Sequence, residues 1–65
     1  MLTSNVKRIM QEKGVTIRAM SESTGLSLET ISRARKEHIS LCRLNTLEII
    51  ASYLRCKVKD LFEEE

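Results

Sequence analysis

The sequence predicts a compact all-α domain of five helices, and three observations support this prediction. Proline is absent and glycine occurs only twice, which favours helices with short connections over strands and long loops. Sixty-five residues, 42% of them hydrophobic, are enough for one domain with one small core. The clearest periodic signal is one apolar helical face made of Leu44, Leu47, Ile50, Ala51 and Leu54.

The first predicted helix precedes Gly14, a residue type that ends helices. Thr3 or Ser4 can act as its N-cap, and the helix then runs to about Lys13. Its core-facing side chains follow helical spacing and are Val6, Ile9 and Met10.

Residues 16–36 read as two short helices joined by a tight turn. Thr16 and Ser27 are N-cap residue types, and Gly25 between them can take the positive φ that ends a helix. Helices this short are not stable alone, so they must pack on each other and on the rest of the chain. The second helix has a polar, mostly basic outer side, formed by Glu29, Ser32, Arg33 and Lys36. A helix pair of this kind indicates a helix-turn-helix that reads DNA.

The remaining segments complete the single domain, 1–65. Residues 37–43 lack clear periodicity and are expected to form an ordered loop, with Ile39 or Leu41 turned inward. A fourth helix over Leu44–Leu54 follows, and then a short fifth helix from Val58 to about Glu63. The chain ends in an acidic tail, 63–65.

Charge is distributed unevenly along the chain. The net charge is only +2, but residues 1–43 carry +4 and residues 44–65 carry −2. This polarity allows the face containing the helix pair to approach phosphate while the other face stays away from it. With aromatic residues at 3%, stacking of bases on aromatic side chains is not the expected mode of binding.

Catalysis and metal binding are not indicated. We find no nucleophile–base pair, carboxylate dyad, phosphate loop or metal cluster, so we expect no enzyme activity, cofactor, metal or small-molecule ligand. Cys42, Cys56 and the single His38 do not make a tetrahedral metal site. Cys56 is expected to be a small buried hydrophobic residue, and Cys42 leaves a redox-sensing role open. The chain has no apolar run that could span a membrane and no leader peptide, so we expect a cytoplasmic protein.

The whole chain resembles the Cro/phage-repressor type (XRE-like) of helix-turn-helix DNA-binding domain, and is similar to its short stand-alone members. The resemblance covers Val6 and Ile9 before Gly14 and the helix pair from Thr16 to Ile31. It is most specific at the C-terminal side, from Thr46 to the closing Asp60-Leu61-Phe62. It implies a lambda-repressor-like fold.

The resemblance also implies which residues meet DNA. The positions that match base contacts are Ser27, Leu28, Glu29, Ser32 and Arg33, and those that match phosphate contacts are Thr16, Arg18, Lys36 and Arg43. Three positions depart from the common pattern. Ile17 stands where the family often has a phosphate-binding Gln, Ser21 replaces a common Ala, and Leu28 replaces a polar base reader.

Several of these residues allow a second interpretation. Arg33 can donate two hydrogen bonds to guanine or can pair with Glu29 one turn away. Glu29 can accept from cytosine or can simply favour the helix N-terminus. Leu28 can touch a thymine methyl or pack on the preceding helix, and Arg35 can turn toward the first helix, for instance to Glu12.

The fourth helix carries an apolar pair beyond its core stripe. Ile49 and Tyr53 are spaced i, i+4, where a monomer would favour polar residues, so they indicate a partner surface. Family members commonly dimerise through this region. We therefore predict a homodimer interface formed by Ile49, Tyr53, Val58, Lys59 and Phe62. Such a dimer would place two recognition helices about 34 Å apart on a palindromic operator.

The sequence as a whole predicts a sequence-specific regulator of transcription that binds double-stranded DNA as a dimeric repressor. Its expected location is cytoplasmic and nucleoid-associated, in a bacterial or phage-type setting. The alternative is an antitoxin-like or adaptor module that uses the same fold to bind a protein.

Overall fold

A computed structural model describes residues 2–64 and shows four α-helices, two 3₁₀ helices and one small sheet. The elements are β1 (Leu2–Ser4), α1 (Val6–Lys13), α2 (Ile17–Thr24), α3 (Leu28–Ala34), a 3₁₀ helix (Glu37–Leu41), α4 (Leu44–Leu54), a second 3₁₀ helix (Val58–Leu61) and β2 (Phe62–Glu64). The predicted all-α class is confirmed, with four α-helices rather than five helices. The last residue of the predicted acidic tail, Glu65, lies outside the described residues.

The predicted caps of the helix pair are confirmed. The Thr16 hydroxyl accepts from the Ala19 amide at 3.0 Å, and the Ser27 hydroxyl accepts from the Thr30 amide at 3.1 Å. Gly25 ends α2 with φ of 80°, a left-handed conformation that costs an L-residue about 1–2 kcal/mol. Each cap satisfies backbone groups that a short helix would otherwise leave open.

The predicted cap of the first helix is wrong. The helix begins after Asn5, because Ser4 lies in β1 and its hydroxyl donates to the carbonyl of Ala34 while accepting from the Val6 amide. Ser4 therefore ties β1 to the end of α3. The side-chain Nδ2 of Asn5 instead donates to the Asp60 carbonyl and to Glu63 Oε1, both at 3.4 Å.

The predicted fifth helix, from Val58 to about Glu63, is wrong in its type and length, and part of the predicted acidic tail lies in a strand. Only one short 3₁₀ turn forms, and the chain then becomes β2, which pairs antiparallel with β1. Phe62 lies opposite Ser4, Glu63 opposite Thr3 and Glu64 opposite Leu2. This pairing satisfies backbone groups at both ends of the described chain, and local periodicity does not reveal it.

All four helices and the 3₁₀ segments contribute to the core. Among the described residues it consists of Val6, Ile9, Met10, Met20, Ile31, Ala34, Ile39, Leu47, Ile50, Ala51, Leu54 and Leu61. Residues 37–41 form a 3₁₀ helix rather than the expected loop, with Ile39 buried and Leu41 77% exposed. Leu44 departs from the predicted stripe, because α4 starts beyond the edge of the core and leaves it 66% exposed.

Candidate nucleic-acid interface

Hydrogen bonds fix the turn between α2 and α3. The Ser21 hydroxyl donates to the Leu26 carbonyl at 2.6 Å, and the Gly25 amide donates to the Ser21 carbonyl at 2.9 Å. The Thr24 hydroxyl donates to the Met20 carbonyl and accepts from the Leu26 amide. Serine in place of alanine at position 21 thus adds a bond across the turn and holds α3 at a defined angle to α2.

Helix α3 has one buried side and one exposed side. Ile31 and Ala34 are fully buried, which fixes the helix on the core. The residues predicted to contact bases lie on the other side: Ser27, Leu28, Glu29 and Arg33 are exposed, and Ser32 is half-buried. A helix held in this way presents a short row of side chains to an outside surface.

Arg33 and Glu29 form an ion pair in the absence of DNA. Arg33 Nη2 lies 2.5 Å from Glu29 Oε1, one turn away on the exposed side of α3. An exposed i, i+4 pair is worth only about 0.3–0.5 kcal/mol, so a guanine edge can displace the carboxylate at small cost. The predicted pairing is confirmed, while the base contact stays a prediction.

Leu28 leaves half of its surface in solvent. The side chain is 51% exposed. Its exposure at the start of α3 leaves methyl groups available for an apolar contact outside the protein. The contact with a thymine methyl stays a prediction.

A cationic cleft lies beside α3, between that helix and the start of α4. Its volume is about 290 Å³, and its lining residues are Thr30, Arg33, Leu41, Cys42, Arg43 and Thr46. We call it the Arg43 cleft. It combines two guanidinium groups with two hydroxyls, the donors that suit a phosphate group. The fold thus brings Arg43, predicted as a phosphate contact, next to Arg33, predicted as a base contact.

Thr16, Arg18 and Lys36 lie at other points of the surface. Thr16 and Arg18 are exposed at the first turn of α2, where the Thr16 hydroxyl already serves as the cap. Lys36 is exposed just after α3. Ile17 is partly buried and packs against the core.

Comparison with protein families matches the chain to a known group. A family model described as the Cro/C1-type HTH DNA-binding domain matches residues 5–65, nearly the whole chain. The chain belongs to this family. A search of curated proteins finds no match. The helix-turn-helix described above is therefore the DNA-binding element of a Cro/C1-type domain. Separately, no helix among the described residues is long and apolar enough to cross a membrane.

The cysteines of this Cro/C1-type domain are half-buried and not activated. Burial raises the pKa of the Cys42 thiol, and nearby Arg33 offsets only part of that effect. Burial, and secondly the Asp60 carboxylate, raise the pKa of the Cys56 thiol, against a smaller opposing effect of Lys13. Because the thiolate is the reactive form, these shifts oppose the redox-sensing interpretation of Cys42. Cys56 is less buried than expected, and no cluster of metal-ligand residues occurs between residues 2 and 64.

The residues predicted for a dimer interface occupy two different surfaces. Ile49 and Tyr53, both half-buried rather than exposed, line a groove between α2 and α4. Lys59 and Phe62 line a separate concavity beside α1, and Val58 packs partly on the core. We call the first surface the α2–α4 groove. Its remaining lining residues are Ser23, Thr24, Asn45, Glu48 and Ser52.

Proposed function

We propose that this protein is a sequence-specific regulator of transcription that acts as a homodimeric repressor. The observation that supports it best is α3, which is anchored on the core by one side and presents an exposed polar and cationic side next to the Arg43 cleft. In this mechanism α3 enters the major groove, where each base pair shows a distinct pattern of donors and acceptors. Occupancy of the operator then blocks polymerase.

The proposed roles follow the two kinds of contact in such complexes. Base edges are read by the exposed side of α3, comprising Ser27, Leu28, Glu29, Ser32 and Arg33. Phosphates are held by Thr16, Arg18, Lys36 and Arg43. Phosphate contacts fix register and supply most of the salt dependence, while base contacts supply sequence preference.

A dimer doubles the number of contacts and requires a palindromic operator. We propose an interface built on Ile49 and Tyr53 in the α2–α4 groove, with Val58, Lys59 and Phe62 on the other surface as a second, separate region of contact. The groove supports this because two large apolar side chains are surrounded by polar residues and one charged residue, Glu48, as is usual for the centre and rim of an interface.

Tyr53→Asp is expected to raise the dimer dissociation constant about 30-fold or more, because central aromatic residues contribute at least about 2 kcal/mol to such interfaces. Sedimentation over a concentration series measures the change. Tyr53→Phe is the matched control and should keep the dimer. Ser52→Arg, at an exposed residue on the same groove, tests the interface without altering the core. If Tyr53→Asp and Ser52→Arg both leave the oligomeric state unchanged, the interface lies elsewhere.

The function itself is tested by fluorescence anisotropy across a salt series. One labelled duplex comes from the region upstream of the protein's own gene, and the other is its scrambled counterpart. A repressor of its own gene should prefer the upstream duplex, bind it with two protomers per site, and lose affinity steeply with salt. The logarithm of the affinity should fall by about 0.9 per phosphate neutralised for each tenfold rise in salt.

A second candidate function is a protein-interaction module, either antitoxin-like or an adaptor. It is favoured by Leu41 and Leu44, which are 77% and 66% exposed near the start of α4. Weak, equal binding to both duplexes with little salt dependence would support this candidate, because an apolar protein interface responds little to salt.

The proposed ligand also sets the proposed location. A protein that binds operators acts where the chromosome is, so we propose a cytoplasmic, nucleoid-associated protein of bacterial or phage type. We propose no enzymatic activity, cofactor or small-molecule ligand for it.

A further inference from the structure

A second cationic cleft lies on the other side of α3 from the Arg43 cleft. Its volume is about 290 Å³, and it is lined by Lys7 of α1, Ser32 of α3, and Arg35 and Lys36 just after α3. We call it the Lys7 cleft. Since a water molecule occupies about 30 Å³ of liquid, the cleft has room for a phosphate group together with some of its hydration.

The charges in the Lys7 cleft are not neutralised within residues 2–64. The ion pairs among the described residues join Arg8 to Glu12 and Arg33 to Glu29, and neither involves a residue that lines the cleft. From the sequence, Arg35 could turn toward Glu12. In the structure Glu12 pairs with Arg8 instead. Lys7, Arg35 and Lys36 face one cleft with no carboxylate in its lining, and this concentrates positive potential at one point of the surface.

Arg35 contributes a guanidinium group to the lining of this cleft. Its Nε is buried and has no hydrogen-bond partner among the described residues, although the side chain as a whole is only partly buried. Buried polar groups in folded proteins nearly always have a partner. An acceptor that enters the cleft would meet the Arg35 guanidinium, two ammonium groups and the Ser32 hydroxyl, a set of donors suited to phosphate oxygens.

We infer that the Lys7 cleft binds a phosphate of the DNA backbone and that α1 therefore belongs to the DNA-binding surface. The inference rests on the proposed function and extends its contacts to Lys7 and Arg35. Two of the lining residues, Ser32 and Lys36, already lie on the predicted DNA-facing side of α3. A helix in the major groove has a phosphate backbone on each side, and the two clefts give α3 a phosphate site on each side.

The same donors would also suit the phosphate of a free nucleotide or metabolite. The DNA backbone is favoured because the cleft is continuous with the row of side chains that reads bases. A small phosphorylated molecule in the cleft would lie against Ser32 and Lys36 and would compete with the duplex, so the two sources give opposite results in a binding experiment.

Lys7→Gln is expected to weaken binding to upstream and scrambled duplexes alike and to reduce the salt slope by about 0.9, the contribution of one phosphate contact. Between about 0.05 M and 0.2 M salt, the affinity of the wild type should therefore fall by a factor about 3.5 times larger than that of the variant. Arg35→Gln should act in the same direction. Lys13→Gln is the matched control on the same helix, since Lys13 lies outside the cleft, and it should leave the slope unchanged. Anisotropy from 0.05 M to 0.2 M salt measures the slopes, and circular dichroism checks that each variant is folded.

A Lys7→Gln slope equal to that of Lys13→Gln and wild type would overturn the inference while leaving the proposed function intact. Absence of salt-dependent DNA binding by the wild type would instead overturn both. NMR of the Arg35 Nε–H resonance separates the sources of phosphate. A shift on adding duplex supports the inference, and a shift with inorganic phosphate but none with duplex overturns it.

Discussion

Ile31→Ala is expected to lower the free energy of unfolding by about 2–5 kcal/mol, the usual cost of truncating a fully buried Ile, Leu or Met side chain. Ile31 is 0% exposed and, with Ala34, holds α3 on the core. A domain of 65 residues has a total stability of only about 3–10 kcal/mol, so this one change consumes much of it. Urea denaturation followed by circular dichroism gives the difference.

Leu28→Ala is the matched control, since it also truncates an aliphatic side chain of α3. Because Leu28 is 51% exposed, its replacement should change the free energy of unfolding by no more than about 0.5 kcal/mol, while weakening binding to DNA. Equal destabilisation by the two variants would contradict the division of α3 into a buried and a reading side. It would also favour packing, rather than a thymine contact, as the role of Leu28.

Arg33→Ala is expected to reduce discrimination between operator and scrambled duplex by about 5- to 150-fold, which corresponds to the 1–3 kcal/mol carried by one bidentate contact with guanine. The loss should appear as a relaxed preference at one base-pair position. Anisotropy competition against duplexes that vary one base pair at a time measures it. Lys36→Ala should weaken all duplexes alike, because a phosphate contact carries no sequence information.

Glu29→Gln separates the two interpretations of the ion pair. If the only role of Glu29 is its ion pair with Arg33, the neutral Gln leaves the Arg33 guanidinium unpaired and available to DNA. Operator binding should then be kept or strengthened. If Glu29 itself accepts from cytosine, the same change lowers discrimination at a neighbouring base pair. Retained discrimination in Arg33→Ala would remove Arg33 from the base-reading set.

The sequence predicts best where a residue type acts locally. Thr16 and Ser27 accept hydrogen bonds from backbone amides at the start of α2 and α3, and Gly25 ends α2. These local roles mark the boundaries of the helix pair. Leu47, Ile50, Ala51 and Leu54 form a stripe that only the core can accommodate. Leu44 follows the same period but lies beyond the edge of the core, and a period alone does not show where the core ends.

Errors arise where distant segments meet. Ser4 has the chemistry of an N-cap, but its hydroxyl donates to the Ala34 carbonyl. This hydrogen bond depends on how β1 packs against the end of α3. Phe62–Glu64 extends a helical pattern in the sequence yet pairs with Leu2–Ser4. For the same reason the exposed side of α3 could be predicted from local spacing, whereas the Lys7 cleft required the packing of α1 beside α3.

The pairing of β1 with β2 predicts the order in which parts of the domain fold. Bringing Leu2 opposite Glu64 closes a loop of about 60 residues, at an entropic cost of about 4 kcal/mol beyond a constant term. The local contacts of α2 and α3 carry no such cost, so we expect them to form early and the sheet to close last. Since Ser4 joins that sheet to Ala34, we expect the final step of folding also to secure the end of α3. Partial unfolding of the sheet would then first loosen the helix that we propose as the DNA reader.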